Sequence, residues 1–198
     1  MAFSYDSIPA GYYDAVFHRR VGIQSEWHHD KFRRIIAEIG KTGRHLDFGC
    51  GPGTLIGLLD KEVRSLGLDM AAPQIEYARQ RYGEPNKEFL KQSVPQTAFP
   101  AHSFDTVSCI EVIEHLPREL SLDVAREFKR LLREGGKLVI TTPNYKSATC
   151  SSKVSPGGYV ACLVRLSVQF GTMRFLPRLF GSANEKVIRS YNQGDIPY

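Results

Sequence analysis

Three glycines at alternate positions, Gly49, Gly51 and Gly53, lie between two carboxylates, Asp47 and Asp69. Glycines let a backbone turn tightly and approach a ligand closely. A helix opening behind them offers unsatisfied N–H groups and a positive dipole end to an anion. The pattern is G-x-G-x-G followed by Thr54, so the third glycine of a pyrophosphate-binding G-x-G-x-x-G is missing. An amino-acid carboxylate suits this loop better than a pyrophosphate. Asp69 ends the next apolar run, where a carboxylate can accept hydrogen bonds from both hydroxyls of a ribose. Asp47, beside the loop, suits a cationic ammonium. Loop capping is the ordinary alternative for both.

A second cluster, Glu111, Glu114 and His115, follows the apolar run Phe104 to Ile110. An imidazole titrates near neutrality, which makes His115 the candidate general base. A hydrogen bond within its own loop is its ordinary alternative. Glu114 equally suits the start of a helix. His18, His28 and His29 fall in an N-terminal helical region. His28 and His29 are adjacent and point to different helix faces, so no metal site is expected.

The elements that must position these groups follow from hydrophobic period. Tyr12 to Ile39 carries apolar residues at mostly helical spacing, which predicts one or two helices. His45 to Phe48 reads as a strand, Thr54 to Glu62 as a helix and Val63 to Leu68 as a second strand ending at Asp69. Pro73 to Tyr82 reads as a helix with proline in its first turn. Glu88 to Leu90 is a weak third strand and Phe104 to Ile110 a fourth. A helix from about Glu119 to Arg133 is expected to stop at Gly135-Gly136, before a fifth strand from Lys137 to Thr142. This alternation predicts an α/β fold, a Rossmann-like doubly wound, mostly parallel sheet with an N-terminal helical cover. Ligands of such sheets bind outside the carboxyl ends of the strands, where Asp47, Gly49, Asp69 and Glu111 fall.

At 198 residues, 42% of them hydrophobic, the chain suits one globular domain. Its expected parts are a cover over 1–43, a cofactor-binding core over 44–145 and a divergent basic tail or lid over 146–198. No signal peptide or membrane span is read, so a cytoplasmic location is expected. Cys50, Cys109, Cys150 and Cys162 lack C-x-x-C pairing and read as reduced, the first two as small buried hydrophobes. The tail carries Lys146, Lys153, Arg165, Arg174, Arg178, Lys186 and Arg189 against Glu185 and Asp195. It therefore accounts for the whole net charge of +5. Its arginines among apolar residues over Tyr159 to Phe180 suit a substrate lid or weak contact with an anionic membrane surface. A solvated basic face is the plainer reading.

HLDFGCGPGT (45–54), GLDM (67–70), SFDTVSCIEVIEHL (103–116) and LREGGKLVITTPN (132–144) occur in that order. Together they resemble the motifs of class I S-adenosylmethionine-dependent methyltransferases, in particular the small-molecule subgroup that includes the ubiquinone-biosynthesis O-methyltransferases. The resemblance implies S-adenosylmethionine as cofactor and S-adenosylhomocysteine as its product. It implies that Asp47, Gly49, Gly51 and Gly53, with Cys50 among them, border the methionine moiety. Asp69 would hold the ribose, Met70 would lie beside the adenine, and Glu111 would line the sulfonium end. Many relatives place an aspartate ten positions before S-F-D; here Ser93 stands there, preceded by Gln92, so Gln92 or a backbone carbonyl would serve the adenine amine. The family also adds a helix and a closing antiparallel strand pair after the fifth strand. No such strands can be assigned in 146–198, so the tail diverges or the chain is part of a longer one.

The expected acceptor is a small organic molecule, with oxygen the methylated atom by subgroup analogy. Nucleic acid is disfavoured, because Ile110-Glu111-Val112-Ile113 stands where base-amino methyltransferases resemble D/N-P-P-Y/F. Two alternatives remain open: an NAD-dependent oxidoreductase, and a degenerate methyltransferase fold that binds without catalysis. No oligomeric state follows from the sequence.

Overall fold

The computed structural model describes residues 8–92 and 97–142, together with the backbone of 164–167. Helices α1 (Tyr12–Arg19) and α2 (Ile23–Ile39) precede β1 (Gly43–Phe48), α3 (Thr54–Leu58), β2 (Val63–Asp69), α4 (Ala72–Tyr82) and β3 (Lys87–Lys91). There follow β4 (Phe104–Ile110), a 3-10 turn (Ile113–His115), α5 (Arg118–Leu131), β5 (Leu132–Thr141) and β6 (Val164–Ser167).

The strands form one sheet in the order β3-β2-β1-β4-β5-β6. Every pairing among β1 to β5 is parallel, and β6 runs antiparallel to β5. The expected α/β class is borne out. Strand order reverses at β1, whose neighbours are β2 and β4, so the crevice for a ligand lies at their carboxyl ends.

Period-2 alternation separates two cores. Leu138 and Ile140 of β5 pack with Leu46, Phe48 and Val107 against Val124, Phe128 and Leu131 of α5. Val139 between them turns to the other face, into a cluster with Ile35 and Ile39 of α2 and Leu55 of α3. Phe128 is fully buried, with its ring edge-on to Phe48 at 5.0 Å between centroids. Burial of a side chain this size contributes roughly 2–3 kcal/mol.

Two predicted boundaries are corrected. The helix opened by Thr54 ends at Leu58 rather than Glu62, because Leu59 is extended and Asp60 folds a turn. The Asp60 carboxylate accepts the Glu62 N–H (3.0 Å) and its carbonyl accepts that of Val63 (3.0 Å). The last helix ends at Leu131, since Leu132 is already extended and pairs with Phe104. Gly135 and Gly136 therefore lie inside β5, not after a helix. Gly135 has φ +71 and the register shifts between Phe104 and Thr106, as a glycine irregularity in a strand does. The closing strands that could not be assigned from sequence are represented by β6, which falls within the stretch read as a lid. The rest of 143–198 lies outside the described residues.

Candidate functional site at the carboxyl ends of the strands

Beyond Phe48 the glycine loop is tied to the neighbouring strand, because the N–H groups of Gly49 and Cys50 both donate to the Leu68 carbonyl (2.8 and 2.9 Å). Gly49 and Gly53 have φ of +76 and +78. A Cβ on them would stand 2.4 Å from Val112 Cγ2 and 2.7 Å from Phe89 Cε1. Gly51 also has positive φ, but among the described residues nothing lies within 4 Å of where its Cβ would stand. The outer glycines are packed shut; the middle one leaves a cradle.

Asp69 closes this cradle. Its Oδ2 accepts from the Gly51 N–H (2.9 Å) and its Oδ1 from the Ala71 N–H (2.8 Å). The loop capping raised as the ordinary alternative is therefore real. Among the described residues each oxygen carries one hydrogen bond, and a carboxylate oxygen can accept more. Met70, 63% exposed, follows at once. The Gln92 N–H donates to the Asp69 carbonyl (2.9 Å), which brings Gln92 to the same end of the sheet; Ser93 lies outside the described residues. Cys50 is buried against Ile56 and Phe89, with burial pushing its thiol pKa up, so it acts as core.

Asp47 is 3% exposed and sits inside the sheet rather than open beside the loop. Parallel register sets it opposite Ser108, whose hydroxyl donates to Asp47 Oδ1 at 2.5 Å. With that proton committed, the Ser108 oxygen accepts from His45 Nε2 (2.8 Å), while Ser65 lies 3.4 Å from His45 Nδ1. Burial raises the Asp47 carboxyl to about 7 and lowers the His45 imidazole to about 3. Sequence reasoning missed this polar row across β2, β1 and β4. Its signal was polar residues at inward positions of strands.

Glu111 follows β4 directly, in the left-handed region (φ +54). Its N–H donates to the Thr141 carbonyl (3.0 Å), and its Oε1 accepts from Thr141 Oγ1 (2.6 Å). A non-glycine residue held there stores strain that surrounding structure must offset. Glu114 and His115 follow on the 3-10 turn, with His115 Nε2 3.9 Å from Glu114 Oε1. Among the described residues Glu114 Oε2 is buried without a hydrogen-bond partner, and burial raises this carboxyl to about 8. Burial lowers the His115 pKa, so the imidazole is neutral at pH 7. Asp47, the glycine loop, Asp69, Glu111, Glu114 and His115 thus share one end of the sheet.

The cover adds Lys31 and Asp14, which the sequence did not single out, and places His28 beside the first. Residues Ser25, His28, Lys31, Ile35 and Ile39 form the buried face of α2. The Lys31 ammonium lies 3.8 Å over the Trp27 ring and faces Glu111, Glu114 and Asp47. Among the described residues both ring nitrogens of His28 lack a hydrogen-bond partner, and burial, then Lys31 and His29, lower its pKa to about 3. Polar residues on an otherwise apolar helical stripe were the available signal. On α1, Asp14 is 2% exposed and clamps the cover to the core. Its carboxylate accepts from Thr54 Oγ1 (2.8 Å), Tyr77 Oη (2.8 Å) and Tyr82 Oη (2.5 Å).

Residues 46–140 match the methyltransferase domain family. A ubiquinone biosynthesis O-methyltransferase of Xanthomonas oryzae pv. oryzae is 34% identical over 129 residues, 61% of this chain and 52% of the relative. The crystal structure of a TehB-like S-adenosylmethionine-dependent methyltransferase from Corynebacterium glutamicum is similar with a TM-score of 0.50 at 26% identity, covering 57% of this chain and 61% of that one. A geranyl diphosphate C-methyltransferase from Streptomyces coelicolor shares the fold, with a TM-score of 0.55 at 17% identity over 76% of this chain and 57% of that one. Residues 46–140 carry a class I S-adenosylmethionine-dependent methyltransferase domain. The chain is related at moderate identity to the ubiquinone-biosynthesis O-methyltransferases, and spans about half the length of the curated relatives it matches.

Proposed function

We propose that the protein transfers a methyl group from S-adenosylmethionine to a small organic acceptor, with oxygen as the receiving atom. The observation that carries this reading is the cradle at Gly51, open where a Cβ would point and bordered by Asp69 with both oxygens on loop N–H groups. A cofactor with a ribose and an amino-acid end fits these residues, and the unpartnered Glu114 Oε2 supplies a further polar atom toward the same end. When bound, S-adenosylmethionine supplies a methyl group activated by a sulfonium. Asp69 would hold the ribose, with Met70 and Gln92 toward the adenine. Gly49, Cys50, Gly51 and Gly53 would border the methionine end, with Asp47 beneath and Glu111 nearest the sulfur.

The chain's own residues then align an in-line approach and exclude water. Lys31, on the buried side of α2 and over the Trp27 ring, would cover this end of the sheet. His115 is the base that takes the acceptor's proton, because its imidazole is unprotonated at pH 7. Glu114, raised to about 8, holds its proton there and serves better as a donor. The division into a cover (1–43), a core (44–145) and a basic tail (146–198), a cytoplasmic location and weak contact of the tail with anionic membrane complete the proposal. Among the described residues no helix is long and apolar enough to cross a membrane.

Calorimetric titration with S-adenosylmethionine, S-adenosylhomocysteine and NAD tests the reading. The first two are expected to bind and to lose at least about tenfold in affinity in Asp69→Ala, the loss of charge-assisted hydrogen bonds. Binding of NAD alone, or of none, would sink it. Vesicles of anionic lipid at low salt test the tail, and no binding there removes the membrane contact.

A further inference from the structure

The N-terminal cover puts a cation at the end of the sheet where a sulfonium would sit. Lys31 is 7% exposed, and its ammonium faces Glu111 and Glu114 from the end of β4 and Asp47 from β1. Burial of an ammonium is tolerated only where negative charge compensates it. A sulfonium at the mouth of β1 and β4 would face the same carboxylates. Two cations sharing them repel each other, whereas a neutral thioether in the same place feels none of that repulsion.

Resting on the methyltransferase reading, we infer that Lys31 sets how strongly this site favours the neutral, demethylated cofactor over its cationic, methyl-bearing form. Among the described residues, the charged and titratable groups facing Lys31 are Glu111, Asp47 at about 7, Glu114 at about 8, which holds its proton at pH 7, and His28, whose imidazole, lowered to about 3, is neutral. Burial lowers Lys31 to about 8, so the ammonium predominates at pH 7 and is lost as pH rises above that range. Raising the pH relieves the repulsion. Ionisation of Asp47 and Glu114 acts in the same direction, and an arginine variant separates the two, because a guanidinium stays charged.

The test is calorimetric titration of the full chain with S-adenosylmethionine and with S-adenosylhomocysteine, at pH 7 and again at high pH, for the wild type, Lys31→Met and Lys31→Arg. At pH 7 the preference for S-adenosylhomocysteine is expected to fall by about tenfold in Lys31→Met and to persist in Lys31→Arg. At high pH the wild-type preference falls toward that of Lys31→Met, while Lys31→Arg lags behind. Near-UV circular dichroism checks each fold; if Lys31→Met does not fold, the difference between wild type and Lys31→Arg at high pH decides. A preference unchanged in Lys31→Met, or wild type and Lys31→Arg moving in parallel with pH, overturns this inference and leaves the methyltransferase reading standing. Failure of the wild type to bind either ligand removes both.

Discussion

Asp14 and Asp47 are equally buried carboxylates in one domain, at 2% and 3% exposure, yet their surroundings differ in kind. Asp14 accepts hydrogen bonds from three hydroxyls and joins α1 to α3 and α4. Asp47 accepts one from Ser108, faces Asp69 and Lys31, and is pushed up to about 7 by burial. A carboxylate whose oxygens are fully used holds structure together. One left short of donors at the end of a sheet is held near its titration point, where a ligand's charge can change its state.

The largest expected effect comes from breaking the clamp. Asp14→Ala leaves the Thr54, Tyr77 and Tyr82 hydroxyls without their acceptor and should cost about 3–4 kcal/mol in urea unfolding. A loss under about 1 kcal/mol would show that the cover is held by apolar packing instead. Next, Gly49→Ala puts a methyl against Val112 at positive φ and should cost about 3 kcal/mol. Gly51→Ala, with open space around it, should cost only about 1 kcal/mol while weakening S-adenosylmethionine binding. Equal stability losses at the two glycines would remove the distinction between packed loop and cradle.

A change in pH dependence sharpens the contrast further. Asp47 has a folded pKa raised above its unfolded value, so the folded state binds the extra proton between about pH 4 and about 7. Stability should therefore fall as pH rises through that window. Asp47→Asn keeps an acceptor for Ser108 and lacks the titration. Its unfolding free energy should be flatter across the window and exceed the wild type's near pH 8 by on the order of 2 kcal/mol. Identical slopes in the two proteins would mean that Asp47 is ionised when folded, like an ordinary surface carboxylate.

Local pattern carried much of this structure. The strand, glycine turn and helix at 45–58, the placement of Asp69 at a strand end and the parallel alternation are properties of neighbours in sequence, and the fold repeats them. The start of β5 was hidden because Leu132 reads as the next apolar position of α5; only its pairing with Phe104 decides otherwise. Lys31 and Asp14 were invisible for a related reason, since a charged residue on a helix is assigned to solvent until tertiary packing says what it faces. In α2 a polar residue at each of three successive buried turns, Ser25, His28 and Lys31, was the trace of that packing. His115 and Glu114 were both visible, but their protonation depends on burial, which sequence spacing does not report.

Trp27 is the chain's single tryptophan, and it lies directly beneath the Lys31 ammonium. Indole emission responds to a nearby charge, so the protein carries a built-in optical gauge at the rim of the proposed site. Ligand arrival, loss of the lysine's proton and movement of α2 would each alter a fluorescence signal that has one source in the chain, with no label attached.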